Sequence, residues 1–423
     1  MRAMKDSGID WIGEIPKEWN VKKLKFSCKL FGRIGFRGYT ADDLVEESEG
    51  AITLSPTNMN NFNLDYSKCS YLSWDKYYES PEIMVEVGDV LLVKTASVGK
   101  CSYVDYLPKE TTVNPQILVL KEHKDCSKFV AYLFHTSIGE AYIDTTKGGS
   151  TIYTISQEKI GNFEFAFPPF TEQQRIAEFL DRKCAEVDEM IALQEQIIEE
   201  LKAYKQSVIT EAVTKGLNPD VPMKDSGIEW IGSIPEHWEA CKLKRKYRLL
   251  NGRAYSDNEL LSEGRYRILR VGNLFTSNHW YYSDLELEDN KYCEKGDLLY
   301  GWSASIGPYM WEEEKVIYHY HIWKVLFAPN SRRYVYYQLQ ALTDAKKKDM
   351  HGTAMQHLTM DNMNNSYIAT APLSEQQTIA DYLDEKCADI DALIATKQQK
   401  IDSLKEYKKS IIYEYVTGKK EIA

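Results

Sequence analysis

The chain has 423 residues, 43% of them hydrophobic, and a formal net charge of −11. That length and apolar content allow two or three domains with real cores, while the acidic balance argues against a free-standing nucleic-acid binder, which carries a basic excess. Eight scattered cysteines without a Cys-x-x-Cys pair give neither a zinc signature nor a disulfide framework, and with no apolar run near membrane length and no N-terminal signal core a soluble, cytoplasmic protein is expected.

In chain order, the first feature is Met4-Lys-Asp-Ser-Gly-Ile-Asp-Trp-Ile-Gly-Glu-Ile-Pro-Lys-Glu-Trp19. It returns almost unchanged at Met223–Trp238. The interior from Val21 to Phe167 predicts mixed structure with short strands, among them Val90–Val93 and Ile117–Leu120, and a short helix near Lys128–Phe134. Lys94, Thr95, Ser97 and Lys100 follow the first of these strands. Lys147 and Ser150 lie in the run Lys147-Gly-Gly-Ser-Thr151, a flexible turn whose amides and lysine suit a phosphate contact.

Pro168 and Pro169 then keep the chain extended ahead of a long helix, predicted from about Thr171 to Val213. Thr171 is the expected cap, with Gln174 three residues on. Val187, Ile191, Ile198, Leu201, Val208 and Ala212 recur at spacings of three and four, the period of a coiled-coil seam, with Gln194 and Lys205 interrupting it. Gly216 and Pro219 mark the stop.

After the second copy of the frame, the interior from Lys242 to Thr370 repeats the first one faintly. Gly88–Gly99 is echoed by Gly296–Gly307, which predicts one fold with two surfaces. Arg265 and Arg267 share one face of a strand, and Arg270 has the opposite parity. Asn273 follows, then a strand at Leu298–Tyr300 leading into Trp302, Ser303 and Ser305. A strand at Ile322–Phe327 and a helix at Arg333–Leu342 precede Lys346. His319 and His321 share a strand face, but further metal ligands are missing.

Pro372 precedes the second long helix, predicted from about Ser374, its expected cap, to Val416, with Gln377 matching Gln174. Ile390, Ile394, Ile401, Leu404, Ile411 and Tyr415 form its seam, in register with the first, and Lys397 and Lys408 interrupt it. Matched registers predict that the two helices pair. Each reaches about 60 Å at ~1.5 Å per residue. Cys184 and Cys387 fall at equivalent positions and read as small core residues.

No catalytic constellation is present. There is no P-loop, no dinucleotide glycine fingerprint and no His-Glu-x-x-His. The Asn-Pro-Pro-aromatic pattern of amino-group methyltransferases is also missing. Arg, Lys, Asn, Ser and Trp at the positions named above are the residue types that grip phosphates and read or stack on bases.

The doubled Asp-Ser-Gly-Ile-x-Trp-Ile-Gly-x-Ile-Pro-x-x-Trp frame and the doubled Pro-x-x-Glu-Gln-Gln-x-Ile-Ala-x-(Phe/Tyr)-Leu-Asp helix start closely resemble the specificity subunit of type I restriction–modification systems. The resemblance spans essentially the whole chain. It implies an α+β protein with two similar mixed α/β target recognition domains, joined by two long helices in an antiparallel coiled coil with pseudo-two-fold symmetry. The implied partition is 1–168 and 218–371 for the recognition domains, and 169–217 and 372–423 for the helical spacers.

In that family each domain reads one half of a bipartite site in double-stranded DNA. The subunit is not catalytic and holds no metal. Two adenine methyltransferase subunits bring S-adenosylmethionine, and restriction subunits bring the ATP-driven motor, with Mg on the partners. Base-reading residues do not transfer between members, so the DNA-contacting candidates rest on residue chemistry alone. A coiled-coil scaffold presenting two protein- or glycan-binding domains is the alternative that the residues leave open.

Overall fold

The computed structural model describes residues 2–9, 12–33, 35–149, 152–328, 331–349 and 357–422. The chain divides into two compact units: Met1–Gln194 with Gln399–Ala423, and Glu195–Gln398. Each unit therefore takes part of both long helices.

The first unit opens on a hairpin, Met4–Asp6 against Glu14–Pro16. The repeated Asp-Ser-Gly builds its bend. The Asp6 carboxylate accepts from the Gly8 amide at 2.9 Å, and Gly8 sits at φ 74°, where side chains are disfavoured. Ile12, Ile15 and Trp19 then enter the core. Beyond it lie two four-stranded sheets. One is antiparallel, in the order Cys101–Tyr103, Val90–Val93, Ile117–Lys121, Lys29–Gly32. The other runs Thr111–Val113, Gly50–Leu54, Ser70–Ser73, Leu44–Val45, with its first pair parallel. Val90–Val93 is buried on both faces, so it reads as a continuous apolar run.

The second unit repeats the plan. Its hairpin is Met223–Asp225 against Ser233–Pro235. Its antiparallel sheet runs Gly307–Met310, Leu298–Gly301, Ile322–Phe327, Tyr247–Asn251. Its mixed sheet runs Tyr281–Ser283, Tyr266–Leu269, Val316–Tyr318, Tyr292–Cys293. The Leu44–Val45 edge of the first unit shrinks here to one bridge, Leu261 to Tyr282. The helices differ more. The first unit uses Ser127–Phe134 and Ser137–Thr146, and the second uses one helix, Arg332–Asp349, which runs past the predicted Leu342.

The long helices are Phe170–Lys215 and Leu373–Val416. Both start one residue before the predicted caps, so Thr171 and Ser374 lie inside the first turn. The carbonyls of Pro169 and Pro372 instead accept from Glu172 and Gln173, and from Glu375 and Gln376. Gln173 and Gln376, not Gln174 and Gln377, are the buried glutamines. The Gln173 amide reaches Asp125 and the Pro168 carbonyl, and that of Gln376 reaches the Ala371 carbonyl.

The doubled motifs fold onto one another. Glu172 accepts from the Trp19 indole at 3.3 Å, and Glu375 accepts from the Trp238 indole at 3.1 Å. Asp181 accepts from the Tyr132 hydroxyl at 2.8 Å, and Asp384 from that of Tyr337 at 2.7 Å. Each module is thereby tied to the start of its own helix. It also closes on the end of the other helix. Ile411, Ile412, Tyr415 and Val416 share a core with Trp19, and Ile209, Ala212 and Val213 share one with Trp238. A Cβ on Gly418 would stand 2.5 Å from Pro16, which explains the glycine there.

Within each unit the helices pair antiparallel. In the first, Phe179 meets Tyr415 with rings 4.4 Å apart, and further along Asp188 meets Lys408 at 2.6 Å. In the second, Lys205 meets Asp391 at 2.6 Å. Val187, Ile198, Ile390, Ile401 and Leu404 are buried, and Ile191, Leu201 and Ile394 are half-buried. Cys184 and Cys387 are buried too. Val208 yields its expected place to Ile209, because the helix end faces both its partner helix and the Trp238 core.

Candidate nucleic-acid interface

The same turn caps the central strand of each antiparallel sheet. In the first unit Val90–Val93 runs into Lys94-Thr-Ala-Ser97, and in the second Leu298–Gly301 runs into Trp302-Ser-Ala-Ser305. Ala96 and Ala304 hold φ 66° and φ 63°, a left-handed conformation that costs a residue bearing Cβ about 1 kcal/mol. Each turn is held by one bridge to a second loop, Thr95 to Thr154 and Ser303 to His357. The bridging residues precede matched helix caps, Ser156 and Thr359. One backbone device therefore presents two different surfaces.

In the first unit the surface is cationic and polar. Lys94 is half-buried with no partner among the described residues, and burial pushes its ammonium down from the usual lysine range. Thr95 bonds the Thr154 hydroxyl at 3.3 Å, and Ser97 is exposed. Lys147 pairs with Asp144 at 2.6 Å and lies 4.8 Å from the Tyr153 ring centre. Ile152 and Tyr153 are exposed beside this turn and were not anticipated. The Lys100 ammonium binds the Pro56 and Met59 carbonyls at 3.0 Å and fastens a loop. Ser150 lies outside the described residues.

In the second unit the surface is aromatic. Trp302 stacks on Trp323 with centroids 5.8 Å apart, and its indole donates to the Tyr320 carbonyl at 2.8 Å. Its ring meets His321 and His357 edge-on at 4.9 and 6.2 Å. The Ser303 hydroxyl bonds His357 Nδ1 at 2.9 Å, and Ser305 is half-buried. His319 and His321 sit in a turn, not along a strand, because the chain bends between Tyr318 and Ile322. Their rings are 4.8 Å apart. Burial, then His321 and Arg270, pushes His319 down to about 4. Burial, then His357 and Arg270, lowers His321. Both imidazoles are therefore neutral near pH 7. Among the described residues no three His, Cys, Asp or Glu side chains are grouped to hold a metal ion.

The arginine cluster separates. Arg265 pairs with Glu286, and Arg267 pairs with Glu313 at 2.8 Å under the face of Trp280. Arg270, outside the strand Tyr266–Leu269, is exposed beside Tyr281 with its charge felt at both histidines. Asn273 is a brace whose side chain accepts from the Arg270 amide and donates to the His279 carbonyl at 2.7 Å. Lys346 lies on the last turns of its helix, and nothing joins it to the Trp302 turn among the described residues. His357 and Tyr320 belong to this surface although their residue types and spacing did not single them out, and His321, weighed in the sequence only as a metal ligand, belongs to it too. The match of Thr154-Ile-Ser156 to His357-Leu-Thr359 is the signal that could have found the first of them.

Among the described residues no helix is long and apolar enough to cross a membrane. The family described as type I restriction modification DNA specificity domain matches residues 16–203 and 235–406. A putative type I restriction enzyme MjaX specificity subunit from Methanocaldococcus jannaschii is 24% identical over 96% of this chain and 95% of its own. The EcoKI specificity subunit of Escherichia coli K12 is 25% identical over 68% of this chain and 62% of its own. A solved type I R-M system structure superimposes with TM-score 0.71 at 14% identity, covering 95% of this chain and 98% of that one. The HsdS subunit of Thermoanaerobacter tengcongensis gives 0.50 at 15% identity, covering 96% and 98%.

Proposed function

This chain belongs to the type I restriction–modification DNA specificity family, and we propose that each of its two modules reads one half of a bipartite DNA site through the turn at the end of its antiparallel sheet. Its role in such a system is DNA recognition, and it is not itself an enzyme. The observation that carries the proposal is the shared turn with different side chains, Lys94-Thr-Ala-Ser97 against Trp302-Ser-Ala-Ser305. A cation that has shed part of its hydration binds phosphate or a guanine edge, and an indole platform stacks on bases or the thymine methyl.

In this reading residues 1–168 and 218–371 are the recognition domains, and 169–217 and 372–423 are the spacers that set the gap between half sites. The partners are double-stranded DNA, two adenine methyltransferase subunits carrying S-adenosylmethionine, and restriction subunits carrying ATP and Mg, all in the cytoplasm. Two methyltransferases suit a subunit whose exposed helix residues are themselves doubled, Met190 with Tyr204 and Leu393 with Tyr407.

The test exchanges residues 242–370 for the second recognition domain of another family member and sequences the methylome. One half of the methylated motif should change, while the other half and the gap stay. A change in both halves, or in neither, overturns independent reading.

A further inference from the structure

We propose that the second unit carries a groove for the DNA phosphate backbone, built from Lys244, Arg245, Lys246 and Arg248 and separate from its base-reading turn. The proposal rests on the recognition function above.

Five cations fall within the seven residues Lys242–Arg248, in a chain whose net charge is −11. The local fold turns them outward. Leu243, Tyr247 and Leu249 go into the core, leaving Lys244, Arg245 and Arg248 exposed. Lys244, Arg245, Lys246 and Arg248 line a concave space of about 260 Å³ with Leu326 and Phe327 on its wall. Little neutralises them. Glu239 reaches Arg245 at 4.0 Å and Lys246 at 3.7 Å, distances too long for good hydrogen bonds. Lys244 bonds the neutral Asn365 at 3.0 Å, and the Arg248 guanidinium has no partner among the described residues.

The first unit provides an internal control. Its equivalent segment has Phe26 and Ser27 where the second has Arg245 and Lys246. Of its lysines, Lys22 pairs with Asp125 and Lys29 with Glu122, each at 2.5 Å, while Lys25 bonds the neutral Asn162 at 2.8 Å as Lys244 bonds Asn365. The two extra cations, Arg245 and Lys246, are thus a property of one module, not of the fold. Tyr247–Asn251 is an edge strand, and edge cations also discourage strand addition. That role explains Arg248 alone, not the cations of the preceding turn.

Position supports the assignment. Arg248 pairs with Leu326, and Asn251 with Trp323, the platform under Trp302. Three strand residues separate these levels, roughly 10 Å. That is about three nucleotides at ~3.4 Å per strand, within the footprint of one half site. Arginine forks and lysine point charges there grip phosphates irrespective of sequence.

The experiment uses the full complex assembled with its methyltransferase subunits and a variant carrying Lys244→Gln, Arg245→Gln and Arg248→Gln. Duplex binding is titrated against salt, on DNA bearing the methylated motif and on scrambled DNA. The slope of log K against log salt should become shallower by about 0.9 for each phosphate that the variant no longer neutralises. Affinity should fall equally on both duplexes, and the methylated motif should not change. The pair Lys25→Gln and Lys29→Gln in the first unit should leave the slope as in the parent. A triple variant with parental melting temperature and parental slope overturns the groove. So does an unchanged slope accompanied by loss of the methyltransferase subunits, which would assign the patch to a protein. If the parent fails to discriminate the two duplexes, the recognition reading fails, and the slope still decides the groove.

Discussion

The loops that follow the two edge strands show how far duplication goes and where it stops. Each places an arginine over a tyrosine, Arg33 over Tyr39 at 5.2 Å and Arg253 over Tyr255 at 5.1 Å. Each tyrosine leads into the same reciprocal cap, Thr40 with Asp43 and Ser256 with Glu259. Glu259 reaches back and clamps Arg253 at 2.6 and 3.1 Å, and that bond holds its carboxyl down to about 2. Asp43 is one methylene shorter, and Arg33 is left with the Arg37 carbonyl and the Thr112 hydroxyl at 3.3 and 3.4 Å. Burial pushes its guanidinium down, and its Nε has no partner. Backbone devices survive duplication because they depend on φ, caps and burial. Charge satisfaction does not: Arg253 meets a carboxylate on both nitrogens, and Arg33 meets only neutral oxygens.

The helix seam is where the two units should behave most alike. Ile401 in the first unit is 1% exposed, and its repeat equivalent Ile198 in the second is 7% exposed. Asp at either position buries an unpaired charge and should cost about 3–5 kcal/mol. Thermal unfolding of Ile198→Asp and Ile401→Asp checks this, with Ile394→Asp as a half-buried control that should lose less. Equal melting of all three variants would remove the buried seam as a source of stability.

The reading turns are where the units should part. Trp302→Phe should weaken discrimination only in the half site read by the second unit, and Lys94→Gln only in the other. Each should cost about 1–3 kcal/mol against single-base variants of the site. Effects that spill into both half sites would break the comparison.

The smallest effect expected is a difference in pH response. His319 is held down to about 4, below the ordinary value of about 6.5. The unfolded chain then binds the extra proton between those values, so stability contributed by neutral His319 is full above about 6.5 and is lost as pH falls toward 4. His135 in the first unit is likewise pushed down to about 4 by burial. Replacing His319 by Gln should reduce the pH slope of the melting temperature in this window, with His135, His123 and His321, all lowered by burial, contributing to the slope that remains. An unaltered slope in His319→Gln would show that this ring does not titrate on unfolding.

Much of this architecture is legible in the chain itself. The seam spacing of Val187, Ile198, Ile390 and Ile401 and the apolar run at Val90–Val93 report burial directly, because side-chain period follows backbone geometry. The expected caps fall one residue late, because a proline carbonyl accepts the bonds that a threonine was expected to accept. The site is less legible. Lys100 looks free in the sequence, and the Pro56 and Met59 carbonyls, brought to it by the fold, bind its ammonium. Arg265 and Arg267 look like a reading face, and Glu286 and Glu313 occupy them.

By itself the sequence determined the duplication, the two long helices with their seams, and the central strands of both sheets, since each is written in local period or in direct repetition. Only the tertiary structure decided which cations remain unneutralised and which aromatic rings converge. Lys94 rather than Lys100, Arg270 rather than Arg267, and Trp302 with His321 and His357 all depend on partners many residues away. A charge is satisfied or left open by whatever the fold brings within about 4 Å, and no local pattern records that distance.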